Sequence, residues 1–310
     1  MPKVSVIIPV YGVEKYIERC ARSLFEQTLD DIEFLFIDDC TPDKSVEILL
    51  SVLEEYPRRK EQVIIHRMEK NSGQAKVREW GMKNATGEYV IHCDSDDWVD
   101  TDMYRALYDK AKIDDADVVV CDYFIAQKGE NKCVKGFERT DKKGFVEDML
   151  AQRVSWALWN KLVKRDAWTI INPVGDMGED MAITTQNILK SRKTIFERKP
   201  YYYYVINPSS ITQVKDKKSI IRKYDFFIDN SKMIISVLDE SSGGGYNNSI
   251  VALKWAAKRL LWQEVKHYDL FQLWEKTYRE INVNLLFCPL INIADKVKYI
   301  MTFLKLYPKQ

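Results

Sequence analysis

Twice before residue 100 the chain runs an apolar, β-prone segment straight into clustered carboxylates. Glu33 to Ile37 ends in Asp38 and Asp39, and the run EYVIHC ends in Asp94, Asp96 and Asp97. Crowded acidic side chains repel one another, so such a strand end makes sense where a hard divalent cation or a solvated phosphate complex sits among them. One strand followed by an Asp pair would read more simply as a turn or a helix cap. Two of them in one alternating pattern read otherwise, because open parallel sheets gather their ligands at the carboxyl ends of their strands. The pattern points to a single metal and nucleotide site at one edge of an α/β sheet.

The alternation itself is regular. A strand at Val4 to Ile8 precedes an apolar-periodic helix through Tyr16, Ile17, Cys20 and Leu24, and the strand at Glu33 to Ile37 follows. Thr41 with Pro42 reads as N-cap and first helical position of the next helix. A strand at Val63 to His66, a helix from about Gly73 to Ala85, the strand Tyr89 to Cys93, a helix near Met103 to Lys112 and a strand Val118 to Cys121 continue the series. Such a series implies right-handed crossovers and a parallel sheet with helices on both faces.

After Asp122 the rhythm changes. Gln127 to Lys143 reads as a polar, Lys-rich loop; an aromatic segment VSWALWNKL, the run GDMGEDMAI and a β-prone tyrosine run, Tyr201 to Tyr204 ending near Pro208, come after it. Ser241 to Gly245, SSGGG, reads as a flexible link. The expected division is 1–240, with a nucleotide-binding half (1–122) and an acceptor-side half (123–240), followed by a helical extension over 246–310.

A chain of 310 residues with 46% hydrophobic content can bury a sizeable core. With 47 basic and 46 acidic residues its net charge is +1, so no global field draws it to nucleic acid. The six cysteines show no CxxC spacing and read as reduced packing residues. No stretch reaches the eighteen or so apolar residues that span a bilayer, and the N-terminus lacks a long apolar signal region. A cytoplasmic protein is expected.

Taken in order, VSVIIPVYG, FLFIDDCTPDKS, NSGQAKVREWGMKNATGEYV, HCDSDDWV, WNKL, GEDMA and YYYYVINPSSIT resemble the family 2 glycosyltransferases of GT-A fold, in particular the non-processive bacterial enzymes that build cell-surface polysaccharides. The resemblance implies a Rossmann-like, mostly parallel sheet and a nucleotide-sugar donor, usually a UDP-sugar. Carried over residue by residue, it places Pro9, Tyr11 and Asp38 at the nucleotide pocket and gives Asp39 a hydrogen bond from the base. A carboxylate at a strand end accepts strongly from such an N–H edge. Arg78 falls at a basic contact of the nucleotide region, and a guanidinium suits diphosphate oxygens. The family's DxD motif maps to Asp94 and Asp96, with Asp96 as the direct ligand of Mn²⁺ or Mg²⁺ and Asp94 nearer the ribose or metal-bound water. Asp180 maps to the general base, with Glu179 its neighbour. Trp159, Asn160 and Lys161 map to the acceptor side, where an indole offers a sugar a flat apolar face. Gly12 stands where the family usually carries Asn.

The reaction so implied is inverting transfer of one sugar to a hydroxyl of a saccharide or lipid-linked saccharide. Two other readings stay open at this level: a sugar-nucleotide pyrophosphorylase, although VSVIIPVYG lacks a Gly-rich basic phosphate loop, and a non-enzymatic acidic receiver-type module. The latter leaves WNKL and GEDMA without purpose. Near the C-terminus Ile293, Val297, Ile300, Met301 and Leu304 share one helical face while Lys296, Lys298 and Lys305 lie elsewhere. That pattern suits core packing, a homodimer interface or peripheral contact with the inner face of the cell membrane.

Overall fold

The computed structural model describes residues 1–127, 129–168, 173–207, 216–242, 245–262, 265 and 270–305. Its N-terminal part is the expected alternation: β1 (Val4–Val10), α1 (Ile17–Phe25), β2 (Ile32–Asp38), α2 (Ser45–Glu54), β3 (Val63–Arg67), α3 (Gln74–Asn84) and β4 (Tyr89–His92). β3, β2, β1 and β4 lie side by side in that order, all parallel. β1 and β2 read as near-continuous apolar runs because both of their faces are covered. Val6, Ile8, Phe34 and Phe36 pack in one cluster with Ile17, Cys20 and Leu24 of α1. Ile7, Leu35 and Ile37 pack on the opposite face with Val77 and Met82 of α3. Gly81 lets α3 lie that close, since a Cβ there would stand 2.5 Å from Cγ2 of Ile7.

The start of α2 differs from expectation. Its N-cap is Lys44, with no side-chain cap; Asp43, one residue earlier, accepts from the Ser45 N–H at 3.1 Å, and Thr41 Oγ1 donates to Asp43 at 2.7 Å while accepting from the Gly12 N–H at 2.8 Å. Thr41 therefore pins the loop after β1, where Gly12 has φ +68. Gly and Asn are the residues that tolerate this left-handed backbone, which accounts for the family's Asn at the position.

The chain continues through β5 (Trp98–Val99), α4 (Met103–Ile113), β6 (Val118–Gln127), β7 (Glu130–Val134), α5 (Lys142–Leu150), β8 (Lys161–Lys164), α6 (Glu179–Lys190) and β9 (Thr194–Val205). The sheet order runs on from β4 as β8, β6, β9 and β5, with β7 beside β6. So β6 does not adjoin β4. β8, from the WNKL segment, runs antiparallel between them, with Val163 opposite both Val90 and Val118. Leu162 joins the core of one sheet face and Val163 that of the other. Four residues flanked by polar ones are too short to show a period, so the sequence hides this strand. The stretch read as a Lys-rich loop also contains structure: β7 folds back on β6 past Gly129, whose φ is +85. β6 and β9 pair in parallel, and the tyrosine run lies in β9.

Among the described residues five further α-helices follow: α7 (Lys217–Ser242), α8 (Asn247–Trp262), α9 (Phe271–Lys276), α10 (Asn282–Phe287) and α11 (Ile293–Phe303). Ile234 and Leu238 of α7 and Leu253 and Ala257 of α8 share one apolar cluster with Val118, Phe145 and Met181. Residues 208–212 of the YYYYVINPSSIT stretch, and residues 243 and 244 of SSGGG, lie outside the described residues. Among the described residues no helix is long and apolar enough to cross a membrane. All six cysteines are free thiols and four of them are buried.

Candidate active site

Parallel strands present their carboxyl ends to one edge, and there the acidic segments meet. Ser95 Oγ donates to the Pro9 carbonyl at 2.6 Å, tying the end of β4 to that of β1. Tyr11 stands open beside it, 49% exposed. Asp38 is buried with both oxygens in use, one accepting from the Thr41 N–H and the other from Arg67, each at 2.7 Å. It shapes the turn rather than facing the opening. Asp39 accepts from the N–H groups of Ser72 at 2.7 Å and Gly73 at 2.9 Å. Asp176 accepts from the Gln74 N–H at 3.2 Å, and a Cβ on Gly73 would stand 2.7 Å from its Oδ1. Two carboxylates thus hold the N-terminus of α3, where the helix dipole favours negative charge. A carboxylate has about four acceptor directions, so Asp39 retains capacity for a further donor.

In DSDD the acids divide their tasks. Asp97 is fully buried; it accepts from the Tyr202 hydroxyl at 2.6 Å and the Val205 N–H at 2.7 Å, and the same hydroxyl accepts from the Asp94 N–H at 3.0 Å. This knot fastens the end of β4 to β9. Burial, then Asp96 and Asp94, push the Asp97 carboxyl well above the ordinary range. Asp96 is partly exposed and accepts from Asn207 Nδ2 at 3.0 Å. Burial and then Asp94 push its carboxyl up as well. Asp94 is partly exposed and accepts from Gln74 at 3.4 Å.

Arg78 joins this group to a second one. Its guanidinium is buried, with Nη2 donating to Asp94 at 3.0 Å and Nη1 to Glu179 at 2.8 Å. Glu179 and Asp180 open α6 behind Gly178, whose φ is +80. Burial and then Asp180 raise the Glu179 carboxyl, against the pull of Arg78. Burial raises Asp180, opposed by Arg78 and, more weakly, by Lys161. Two carboxylates occupy its fork, so Arg78 bridges the end of β4 to the head of α6.

The trio placed on the acceptor side lies within the fold. Trp159 is 5% exposed and stacks on Tyr202 with ring centroids 4.3 Å apart. Asn160 is fully buried, donating to the Cys121 carbonyl at 2.8 Å. Lys161 donates to Ser155 and Ala157 carbonyls and to Asn160 Oδ1 at 3.0, 2.7 and 2.7 Å. Its three donors are all used, and burial pushes the amine down to about 7. All three are buried, Trp159 among tyrosine rings and Asn160 against Lys161. They floor the site, with Tyr202 between Trp159 and Asp97.

Several residues at the site were given no role from sequence, although they lie in the segments quoted above. Asp176, Gln74, Asn207 and Tyr202 reach it through the fold. His92 is buried beside it, its ring 5.3 Å from that of Trp168, and among the described residues neither nitrogen has a hydrogen-bond partner. Burial and then Arg78 hold it neutral, far below the ordinary histidine range. The acidic pairs at strand ends were the legible part.

A cation at this edge would need hard oxygen donors, and the donor set is of that kind. Among the described residues no group of three or more His, Cys, Asp or Glu could enclose a metal ion. Asp94 and Asp96 could supply one or two ligands, the usual protein share for Mg²⁺-like ions that take their other oxygens from phosphate and water. Two like charges held together, with Asp96 pushed up by Asp94, are relieved by a divalent cation.

Comparison with known proteins bears on the family and the fold. The sequence model described as "Glycosyl transferase family 2" matches residues 5–162, just over half of the chain. The protein named "Uncharacterized glycosyltransferase EpsJ" from Bacillus subtilis is 29% identical over 232 residues, covering 71% of this chain and 66% of EpsJ. Two other curated relatives are matched over 32% and 64% of their own length, so the chain spans less than two thirds of the length of these relatives. Among solved structures, S. aureus TarS 1-349 in complex with UDP-GlcNAc aligns with TM-score 0.59 at 19% identity, over 90% of this chain and 92% of that one. The mannosyltransferase PcManGT from Pyrobaculum calidifontis, in complex with GDP-Man and Mn²⁺, aligns with TM-score 0.56 at 15% identity, over 100% and 88%. At these identities the likeness is one of fold, and the fold is that of GT-A transferases with a helical C-terminal region.

Proposed function

The chain belongs to glycosyl transferase family 2, and from that premise we propose that it moves one sugar from a nucleotide-sugar donor, a UDP-sugar by our reading, to a hydroxyl of a saccharide or lipid-linked acceptor, with inversion. One observation carries the reading: Arg78 holds Asp94 and Glu179 together, so the donor-side acids and Asp180 form one cluster at one sheet edge. Residues 1–122 then make the donor half, 123–240 the acceptor half, and the helices over 246–310 an extension.

In this reading Tyr11 and Pro9 flank the nucleotide and Asp39 accepts from the base. Asp180 takes the proton of the incoming hydroxyl as that oxygen bonds to the anomeric carbon. The bond from that carbon to the diphosphate breaks on the opposite face, and the nucleoside diphosphate leaves with the electron pair. Arg78 opposes the rise in the Asp180 pKa, which keeps the base available in its ionised form. Asp96, with Asp94, would hold a divalent cation, Mn²⁺ or Mg²⁺, which when bound offsets charge growing on the leaving diphosphate.

Asp96→Ala tests the donor side. The carboxylate lies at the sheet edge and is partly exposed, so the fold should survive while transfer is lost. In the wild type EDTA should inhibit, with Mn²⁺ or Mg²⁺ restoring activity. Full activity of the Ala variant in metal-free buffer would remove both the metal and the assignment of Asp96.

A further inference from the structure

Helix α11 is built with its polar residues inward. Asp295, Tyr299 and Thr302 are its buried residues. Asp295 accepts from Trp255 Nε1 at 3.3 Å and from Lys298 at 3.2 Å, and Thr302 Oγ1 accepts from Trp262 Nε1. The opposite side carries Ile293, Val297, Ile300, Met301 and, in the following turn, Leu304, all between 38% and 80% exposed. Their spacing, i, i+4, i+7, i+8 and i+11, makes one continuous stripe. Isolated exposed apolar residues are ordinary, whereas a contiguous stripe marks a surface that something covers. Among the described residues nothing covers this stripe, and the indole-to-polar bonds hold it outward.

The charges say what covers it. Lys296, Lys298 and Lys305 are the basic residues of α11 and its final turn; Lys298 pairs with the one acidic residue there, the buried Asp295, and Lys305 lies over the Phe271 ring, which leaves the segment net positive. An apolar stripe flanked by lysines is complementary to an anionic lipid surface, with the stripe at the acyl boundary and the ammonium groups among the headgroups. A two-fold contact between copies would instead set the same basic face against itself. We propose that α11 seats this protein on anionic membrane lipid. The inference rests on this helix alone and stands or falls separately from the transferase reading.

Co-sedimentation of the full chain with phosphatidylglycerol vesicles and with phosphatidylcholine vesicles, at low and high salt, tests it. Binding is expected to the anionic vesicles at low salt and should weaken as salt screens the lysines. Val297→Gln/Ile300→Gln removes apolar contact without adding charge, at exposed positions where the fold should not notice. It should lower the partition coefficient on the order of tenfold or more, with an unchanged melting temperature. Ile293→Gln serves as a second variant should the pair fold poorly. No binding to phosphatidylglycerol at low salt, or undiminished binding by both variants, overturns the proposal. So does a lipid-free dimer, seen by sedimentation velocity, that the substitutions dissociate, because a second copy then covers the stripe.

Discussion

A guanidinium buried between Asp94 and Glu179 acts on the carboxylates around it in two ways. It donates to both of them, and it opposes the rise that burial gives the Glu179 and Asp180 carboxyls. The sign for catalysis follows. A base with a raised pKa loses its ionised form as pH falls through that value, so the acidic limb of kcat/KM should lie above the ordinary aspartate range. Arg78→Gln removes a charge that lowers both Asp180 and Glu179, so the limb should move to still higher pH, while Arg78→Lys should move it less. A pH profile of the three proteins checks this; a limb unmoved in Arg78→Gln would mean that Asp180 is not the titrating base. Removing one partner from a buried ion pair costs up to about 3–5 kcal/mol, so Arg78→Gln should also melt at lower temperature. None of this was legible in the sequence, because Arg78 and Glu179 are 101 residues apart and no local spacing links them. The acids of DSDD were legible, since carboxylates crowded at the end of an apolar strand repel one another unless a cation or a donor group meets them there. The burial of Trp159, Asn160 and Lys161 was not legible for a physical reason: polar and aromatic side chains that satisfy one another inside a fold have the same composition as a sugar-binding surface.

At the scale of elements, strand–helix alternation was readable wherever an element was long and periodic, as in β1, β2, α3 and α4. It failed at β8, whose buried Leu162 and Val163 face opposite cores within four residues, and at β7, whose polar residues, Lys132 among them, mark an exposed edge strand as readily as a loop. The close seating of α3 on β1 depends on Gly81. In an open helix position Gly→Ala gains up to about 1 kcal/mol of propensity. Here the new Cβ would stand 2.5 Å from Ile7 Cγ2 and 3.1 Å from its Cγ1. Gly81→Ala should therefore destabilise the protein, by roughly 1–3 kcal/mol as for other overpacked cores. Denaturant unfolding measures this, and Gly81→Ala/Ile7→Ala should lose less than the sum of the two single changes. A neutral or stabilising Gly81→Ala would show that α3 sits further from β1 than this contact requires.

At the scale of the whole molecule, the site draws on four stretches, around Asp39, Arg78 with Asp94 and Asp96, Asp180, and Asn207, brought together by one sheet edge and by hydrogen bonds that cross it. The order of these stretches in the sequence was what made the family legible; their convergence belongs to the fold. The helices from α7 onward share a core with the sheet through α7 and α8, which periodicity could not foretell because it shows a face without showing what the face meets. The central claim is that the donor-side acids and Asp180 form one catalytic site, with separable duties of binding and proton removal. Its most direct test sets wild type against Asp180→Asn, measuring UDP affinity by calorimetry and UDP release from a panel of UDP-sugars with Mn²⁺. The account predicts equal UDP affinity and a rate lower by about 10² to 10⁴ in the variant. Undiminished release, or a loss of UDP affinity with turnover of bound donor intact, would contradict it.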